Sequence, residues 1–185
     1  ADMIYQSGRI NPVVTYIPSK LRNLVAERAA HCCEYCQSQE VVLGMPFEIE
    51  HIVPLAAGGR TEEKNLCLAC WRCNRYKGTQ VERVDEESLA IVPLYHPRQH
   101  VWDEHFSWSN DGLRITGLTP TGRVTIEALK MNNPFVVRSR YKWVASGWHP
   151  EGPTASTSYP LIPAAPPATA NSCHIAQTTR GRPAP

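Results

Sequence analysis

The stretch HCCEYCQSQEVVLGMPFEIEHIVPLAAGGRTEEKNLCLACWRCNRYKGTQ, residues 31–80, decides how this chain is read. Two C-x2-C pairs, Cys33/Cys36 and Cys70/Cys73, stand 33 residues apart and bracket a Glu50-His51 dipeptide and Asn65, with Asn74 directly after the second pair. Four thiolates at that spacing predict one bound zinc. They would fill its coordination sphere, so the ion has no position left for water and its role is structural. It would fix where an extended segment and a helix meet in a stretch too short to bury a core of its own. Cys67, Cys70 and Cys73 form two overlapping C-x2-C units and Cys32 adjoins Cys33. We take Cys33, Cys36, Cys70 and Cys73 as the ligands, although spacing alone does not choose among the neighbours.

The residues between the pairs suit a different chemistry. Hydrolysis of a phosphodiester needs a group that takes a proton from water and a charge that stabilises the departing oxygen. A neutral imidazole, with an ordinary pKa of about 6.5, suits the first task, which points to His51. Glu50 and the Asn74 side chain offer oxygen ligands for a hard cation, magnesium or manganese, with positions left for water and phosphate. Consecutive residues on an extended segment point to opposite sides, so Glu50 and His51 need a local distortion to serve one phosphate. Arg72, Arg75 and Lys77 surround Asn74 and are the candidate nucleic-acid contacts.

Outward from this centre, Phe47, Ile49 and Val53 alternate with Glu48, Glu50 and Ile52 in a strand-like run that Pro54 ends. Gly58-Gly59 marks a turn, with Thr61 as a cap for one helical turn before Asn65. The segment WRCNRYKG reads as a short helix ended near Gly78. N-terminal to the first cysteine pair, Leu21, Leu24, Val25 and Ala29 recur at helical spacing and predict an amphipathic helix from an N-cap at Ser19 to about Ala30.

On the C-terminal side, residues 81–101 read as a connector with an acidic cluster at Asp85, Glu86 and Glu87. Trp102, Phe106 and Trp108 are core candidates beside a hairpin turn at Asn110-Asp111-Gly112. Thr119-Pro120 starts one helix, with Val124, Ala128, Leu129 and Met131 on its apolar side. Asn133-Pro134 starts another, with Val137, Tyr141 and Val144 on one side and Arg138 and Lys142 on a second. His96, His100 and His105 read as packing or surface residues.

The composition bounds the rest. A chain of 185 residues with 42% apolar content has material for about one domain. Its formal net charge of +2 is too mild to mark a nucleic-acid binder, so any such surface must be local. Seven cysteines, four of them in spaced pairs, favour metal over disulfides and a reducing, cytoplasmic setting. The opening ADMIYQSGRINPVV lacks a signal-peptide pattern, and no run approaches the roughly 20 apolar residues that cross a bilayer. Half of the sixteen prolines fall in 149–185 among Ala, Ser and Thr, which predicts a disordered tail.

The central residues Glu50-His51-Ile52-Val53-Pro54, Gly58-Gly59, Asn65-Leu66, Cys70-Trp71-Arg72-Cys73-Asn74 and Lys77-Gly78 resemble the HNH endonucleases of the ββα-metal fold. The likeness covers about fifty residues closely, and LYHPRQHVWDEHF and GLTPTGRVTIEALKMN also look like a bacterial branch of that family. The resemblance implies His51 as general base, Glu50 and Asn74 as ligands of the catalytic cation, and Asn65 as the side chain that holds the loop and His51 in place. It matches Cys33, Cys36, Cys70 and Cys73 to the zinc ligands of the zinc-containing members. Glu50 stands where aspartate is common and Asn74 where some members carry histidine, which favours magnesium or manganese.

The expected architecture is α+β: a zinc-anchored ββα-metal core over about 31–80, flanked by helices. An arm would occupy 1–17, the nuclease domain 18–148 with a hairpin and helices over about 81–148, and the tail 149–185. The expected activity is metal-dependent cleavage of DNA. Two rival readings use the same zinc module without catalysis, one as a nucleic-acid-binding module and one as a protein-interaction domain. Target sequence, DNA against RNA preference, a homodimer and a separate specificity partner are all outside what these motifs encode.

Overall fold

A computed structural model describes residues 16–149; the expected arm over most of 1–17 and nearly all of the tail at 149–185 lie outside the described residues. In chain order the elements are α1 (Ser19–Arg28), α2 (Glu40–Leu43), β1 (Glu48–His51), β2 (Leu66–Ala69), α3 (Trp71–Lys77), β3 (Glu82–Val84), β4 (Ile91–Pro93), α4 (Trp102–His105), β5 (Phe106–Trp108), β6 (Ile115–Gly117), α5 (Pro120–Ala128) and α6 (Pro134–Ala145). Mixed helices and three small antiparallel hairpins, β1-β2, β3-β4 and β5-β6, make this the expected α+β class.

The central hairpin pairs Glu48 with Ala69, Ile49 with Leu68, Glu50 with Cys67 and His51 with Leu66. All four residues of β2 are buried because both of its faces are covered. Leu66 and Leu68 pack with Val25 of α1 and with Ala29 just after it, while Cys67 and Ala69 join the larger core that contains the cysteine pairs, Tyr95, Phe106, Ile115 and Leu129. Side chains alternate along the pairing strand too, so Glu48 and Glu50 share the face that meets α3.

Several sequence expectations shift by a residue or a face. Pro18, not Ser19, is the N-cap of α1, and no side chain caps it. The run at 81–101 is not a bare connector: β3 and β4 form a hairpin whose loop is drawn in by Asp85, which accepts from the Ser88 backbone and hydroxyl and pairs with Arg123 of α5. Thr119 and Asn133 cap α5 and α6 through their side chains, as Thr-Pro and Asn-Pro predict. In α6, however, Val136 and Arg140 are buried and Tyr141 is exposed. The apolar pattern pointed to a different side because an arginine occupies a core position, which hydrophobic periodicity does not find.

Trp102 and Trp108 pack against the core around buried Phe106, as expected of these aromatics. The Trp102 indole also donates to the Tyr35 carbonyl at 2.9 Å, tying α4 to the first cysteine knuckle.

Candidate functional site

The four sulfurs of Cys33, Cys36, Cys70 and Cys73 lie within 4.8 Å of one another and are buried. The Cys36 and Cys70 sulfurs are 3.8 Å apart. A tetrahedral ion with Zn–S bonds of about 2.3 Å has S···S edges of about 3.8 Å, so the cluster has the size and the soft donors that zinc takes. The first pair is turned by Gln37 at φ 57°, with Gln37 N–H on the Cys33 carbonyl at 2.8 Å. The second sits where β2 meets α3, and the Cys70 sulfur accepts from Cys73 N–H at the helix start. Burial raises the Cys33 thiol, while hydrogen bonding with Cys33 raises Cys73 and lowers Cys36.

The choice left open by spacing is made by packing. Cys67 is on β2 and outside the cluster, and burial pushes its thiol up to about 12. Cys32 forms a bridge with Gln39 and is outside it as well.

His51 ends β1, and its Nε2 is 3.0 Å from the Thr61 hydroxyl. Thr61 was expected as a helix cap; the short 3-10 turn is Glu63–Asn65 with Glu62 at its cap, and Thr61 meets the imidazole instead. Burial lowers the His51 pKa below its ordinary value against the opposing pull of Glu50, which favours the neutral ring.

Asn65 binds the segment that follows His51. Its Oδ1 accepts from Val53 N–H, and its Nδ2 donates to the carbonyls of Val53 and Arg60, each at 2.9 Å. Its backbone carbonyl accepts from Ile52 N–H at 2.9 Å. Gly59 has no room for a side chain, since a Cβ there would lie 1.8 Å from the Val53 carbonyl oxygen and 2.8 Å from Asn65 Nδ2. Asn65 and Gly59 together fold the loop onto β1.

On the other face, Glu50 does not hydrogen-bond to Asn74. Its Oε1 pairs with Lys77 Nζ at 2.8 Å, with side-chain exposures of 15% and 2%. Lys77 also donates to the His51 carbonyl at 2.9 Å. A side chain this enclosed does not reach a phosphate backbone, so the expectation that Lys77 contacts nucleic acid is corrected: it clasps α3 to β1. The Asn74 amide donates instead to the carboxylate of Glu48. Sequence reading passed over Glu48, yet its position two residues before Glu50 places it on the same strand face. Arg75 is exposed and Arg72 partly so, with Arg72 lying 6.0 Å from the Trp71 ring centre.

Glu48 and Glu50 on one face of β1, with Asn74 of α3 against Glu48, are oxygen-bearing side chains that could hold a hard cation. Of the other histidines, His31 pairs with Glu40, His105 bonds Thr119, and His96 and His100, linked to each other through a backbone N–H, line a cavity with Ile52, Val53 and Lys77. No helix among the described residues is long and apolar enough to cross a membrane.

Neither the curated proteins nor the solved structures include a match to this chain. Residues 33–80, which hold both cysteine knuckles, the β1-β2 hairpin and α3, match the HNH endonuclease family model, so over that segment the chain is similar to the HNH endonucleases.

Proposed function

We propose that this protein is a metal-dependent endonuclease that hydrolyses DNA, with the nuclease domain at 18–148. The observation that carries the reading is an imidazole, His51, at the end of a hairpin strand whose following loop is clasped by Asn65, inside the segment that matches the family. With Nε2 engaged by Thr61, Nδ1 of His51 accepts a proton from water. That water's oxygen forms a bond to phosphorus as the bond to the 3′ oxygen breaks. Asn65 holds His51 and its loop in place for this transfer. Glu50 and Asn74, joined by Glu48, would hold a magnesium or manganese ion whose charge stabilises the leaving 3′ oxygen. Arg72 and Arg75 supply phosphate contacts beside Asn74. The four cysteines hold a structural zinc, and reduced thiols of this kind suit the cytoplasm.

The test is nicking of supercoiled plasmid by the full chain. Cleavage should require added magnesium or manganese and vanish in His51→Ala while zinc content and helix signal stay at wild-type values. Cleavage retained by purified His51→Ala would overturn the proton-transfer role. Salt-dependent DNA binding without cleavage under either metal would overturn the enzyme reading in favour of a binding module.

A further inference from the structure

A cavity of about 310 Å³ lies beside the segment that Asn65 clasps, with Ile52 and Val53, the two residues after His51, in its wall. Its floor is apolar, since Ile52, Leu94 and Tyr95 are buried. Val81, Glu82 and Gln99 of its lining are exposed, so it opens to solvent. His96 and His100 line it as well. Nδ1 of His96 accepts from Arg98 N–H at 3.2 Å, and Nδ1 of His100 accepts from His96 N–H at 3.1 Å. An imidazole nitrogen that accepts carries no proton, so both rings are neutral and each keeps its Nε2–H as a donor. Among the described residues the hydrogen bonds of these two rings run through Nδ1 alone.

The charges around the cavity argue against an anion. Lys77 is the one cation in the lining, and its three N–H groups are directed to the Glu50 carboxylate at 2.8 Å, the His51 carbonyl at 2.9 Å and the Gly78 carbonyl at 3.4 Å. Glu82 adds a carboxylate at the rim. Gln80 donates its amide to the Tyr76 and Lys77 carbonyls, which leaves its Oε1 as an acceptor. Apolar walls with a few neutral donors and acceptors suit a flat, uncharged ring that carries both on its edge, and a volume of about 300 Å³ is at the lower end of what small-ligand sites provide.

We propose that this cavity receives one unpaired nucleobase of the strand whose phosphodiester meets His51, with the Nε2–H groups of His96 and His100 on acceptors of the base edge. This rests on the nuclease reading of His51. A base stacked and paired in a duplex does not reach such a site, so the strand presents it unstacked, held by its edge and by the apolar walls. Both histidines lie outside the segment 33–80 that matches the nuclease family, so the contact to the base comes from the chain beyond it.

The experiment compares two short single-stranded DNAs of equal length and charge, one with mixed bases and one abasic throughout. Their affinity for the full-length protein is read by fluorescence anisotropy without a divalent cation. Wild type should bind the base-bearing strand on the order of 10-fold more tightly, as one base held against aromatic side chains contributes. His96→Ala should lose most of that preference and keep the wild-type affinity for the abasic strand, because the phosphate contacts are untouched. Val81→Trp, which fills the mouth of the cavity without removing a hydrogen-bonding side chain, should do the same and decides the matter should His96→Ala fail to fold. No preference in wild type, or the wild-type preference in either folded variant, would overturn the proposal. Cleavage of the base-bearing strand in magnesium or manganese reads the nuclease separately. Base-dependent binding without cleavage refutes the nuclease reading alone, and cleavage without base dependence refutes the base site alone.

Discussion

Replacing Asn65 tests whether one side chain joins the stability of the hairpin to the placement of His51. Asn65 is 7% exposed and makes three side-chain hydrogen bonds of 2.9 Å, one as acceptor from Val53 N–H and two as donor to the Val53 and Arg60 carbonyls. At about 0.5–1.5 kcal/mol net for each bond, Asn65→Ala should cost about 2–4 kcal/mol, with water recovering the lower part of that range. Asn65→Asp separates geometry from size. It keeps the volume and the acceptor for Val53 N–H, yet it sets a carboxylate oxygen against two carbonyl oxygens where an amide donor stood. The aspartate variant should therefore be no more stable than the alanine variant. Urea unfolding of the zinc-loaded protein measures this: with a slope of about 2 kcal/mol per M, the midpoint should fall by about 1–2 M. Plasmid cleavage should fall on the order of 100-fold in both, as a misplacement of about 1 Å does to a proton acceptor. An aspartate variant with the wild-type midpoint would refute the argument, because the two donated bonds would then be irrelevant.

Lys77→Met removes the buried partner of Glu50 and should destabilise the fold by about 3–5 kcal/mol, with part of the loss recovered in Lys77→Met/Glu50→Gln; an unchanged thermal midpoint would contradict the clasp. In contrast, Arg75→Ala should leave stability unchanged and lower the salt slope of DNA binding by about one, measured by fluorescence anisotropy between 50 and 200 mM salt. Zinc content by elemental analysis should drop in Cys70→Ser and Cys73→Ser and persist in Cys67→Ser, whose side chain lies outside the cluster. Asp85 is held well below the usual carboxylate range by hydrogen bonds from Arg123 and Ser88. The unfolded chain therefore takes up this proton first, from about pH 4 downward, while the folded carboxylate stays charged. Stability from this group is present above about pH 4 and is lost below it. Asp85→Asn should flatten that acid decline in urea titrations, and an unchanged slope would count against the Asp85–Arg123 pair as its source.

What the amino-acid sequence determined by itself were the features set by short-range chemistry. The C-x2-C spacing, the Thr119-Pro120 and Asn133-Pro134 helix starts and the Asn110-Asp111-Gly112 turn each depend on a few adjacent residues, and the structure carries them where they were read. Strand alternation likewise set Glu50 and His51 on opposite faces. Tertiary structure decided which side chains meet across those faces. The packing of α3 on β1 puts Asn74 on Glu48 and hides Lys77 behind Glu50, a pairing no local pattern specifies because it depends on the rotation of a helix against a strand. The same holds for Thr61, a plausible cap by sequence that the loop, folded close over Gly59, delivers to the imidazole. Arg140 is the furthest case: its charge marks it for the surface, and only the packing of α6 buries it, with the Leu113 carbonyl, the Asn132 side-chain oxygen and the Trp108 ring around its guanidinium.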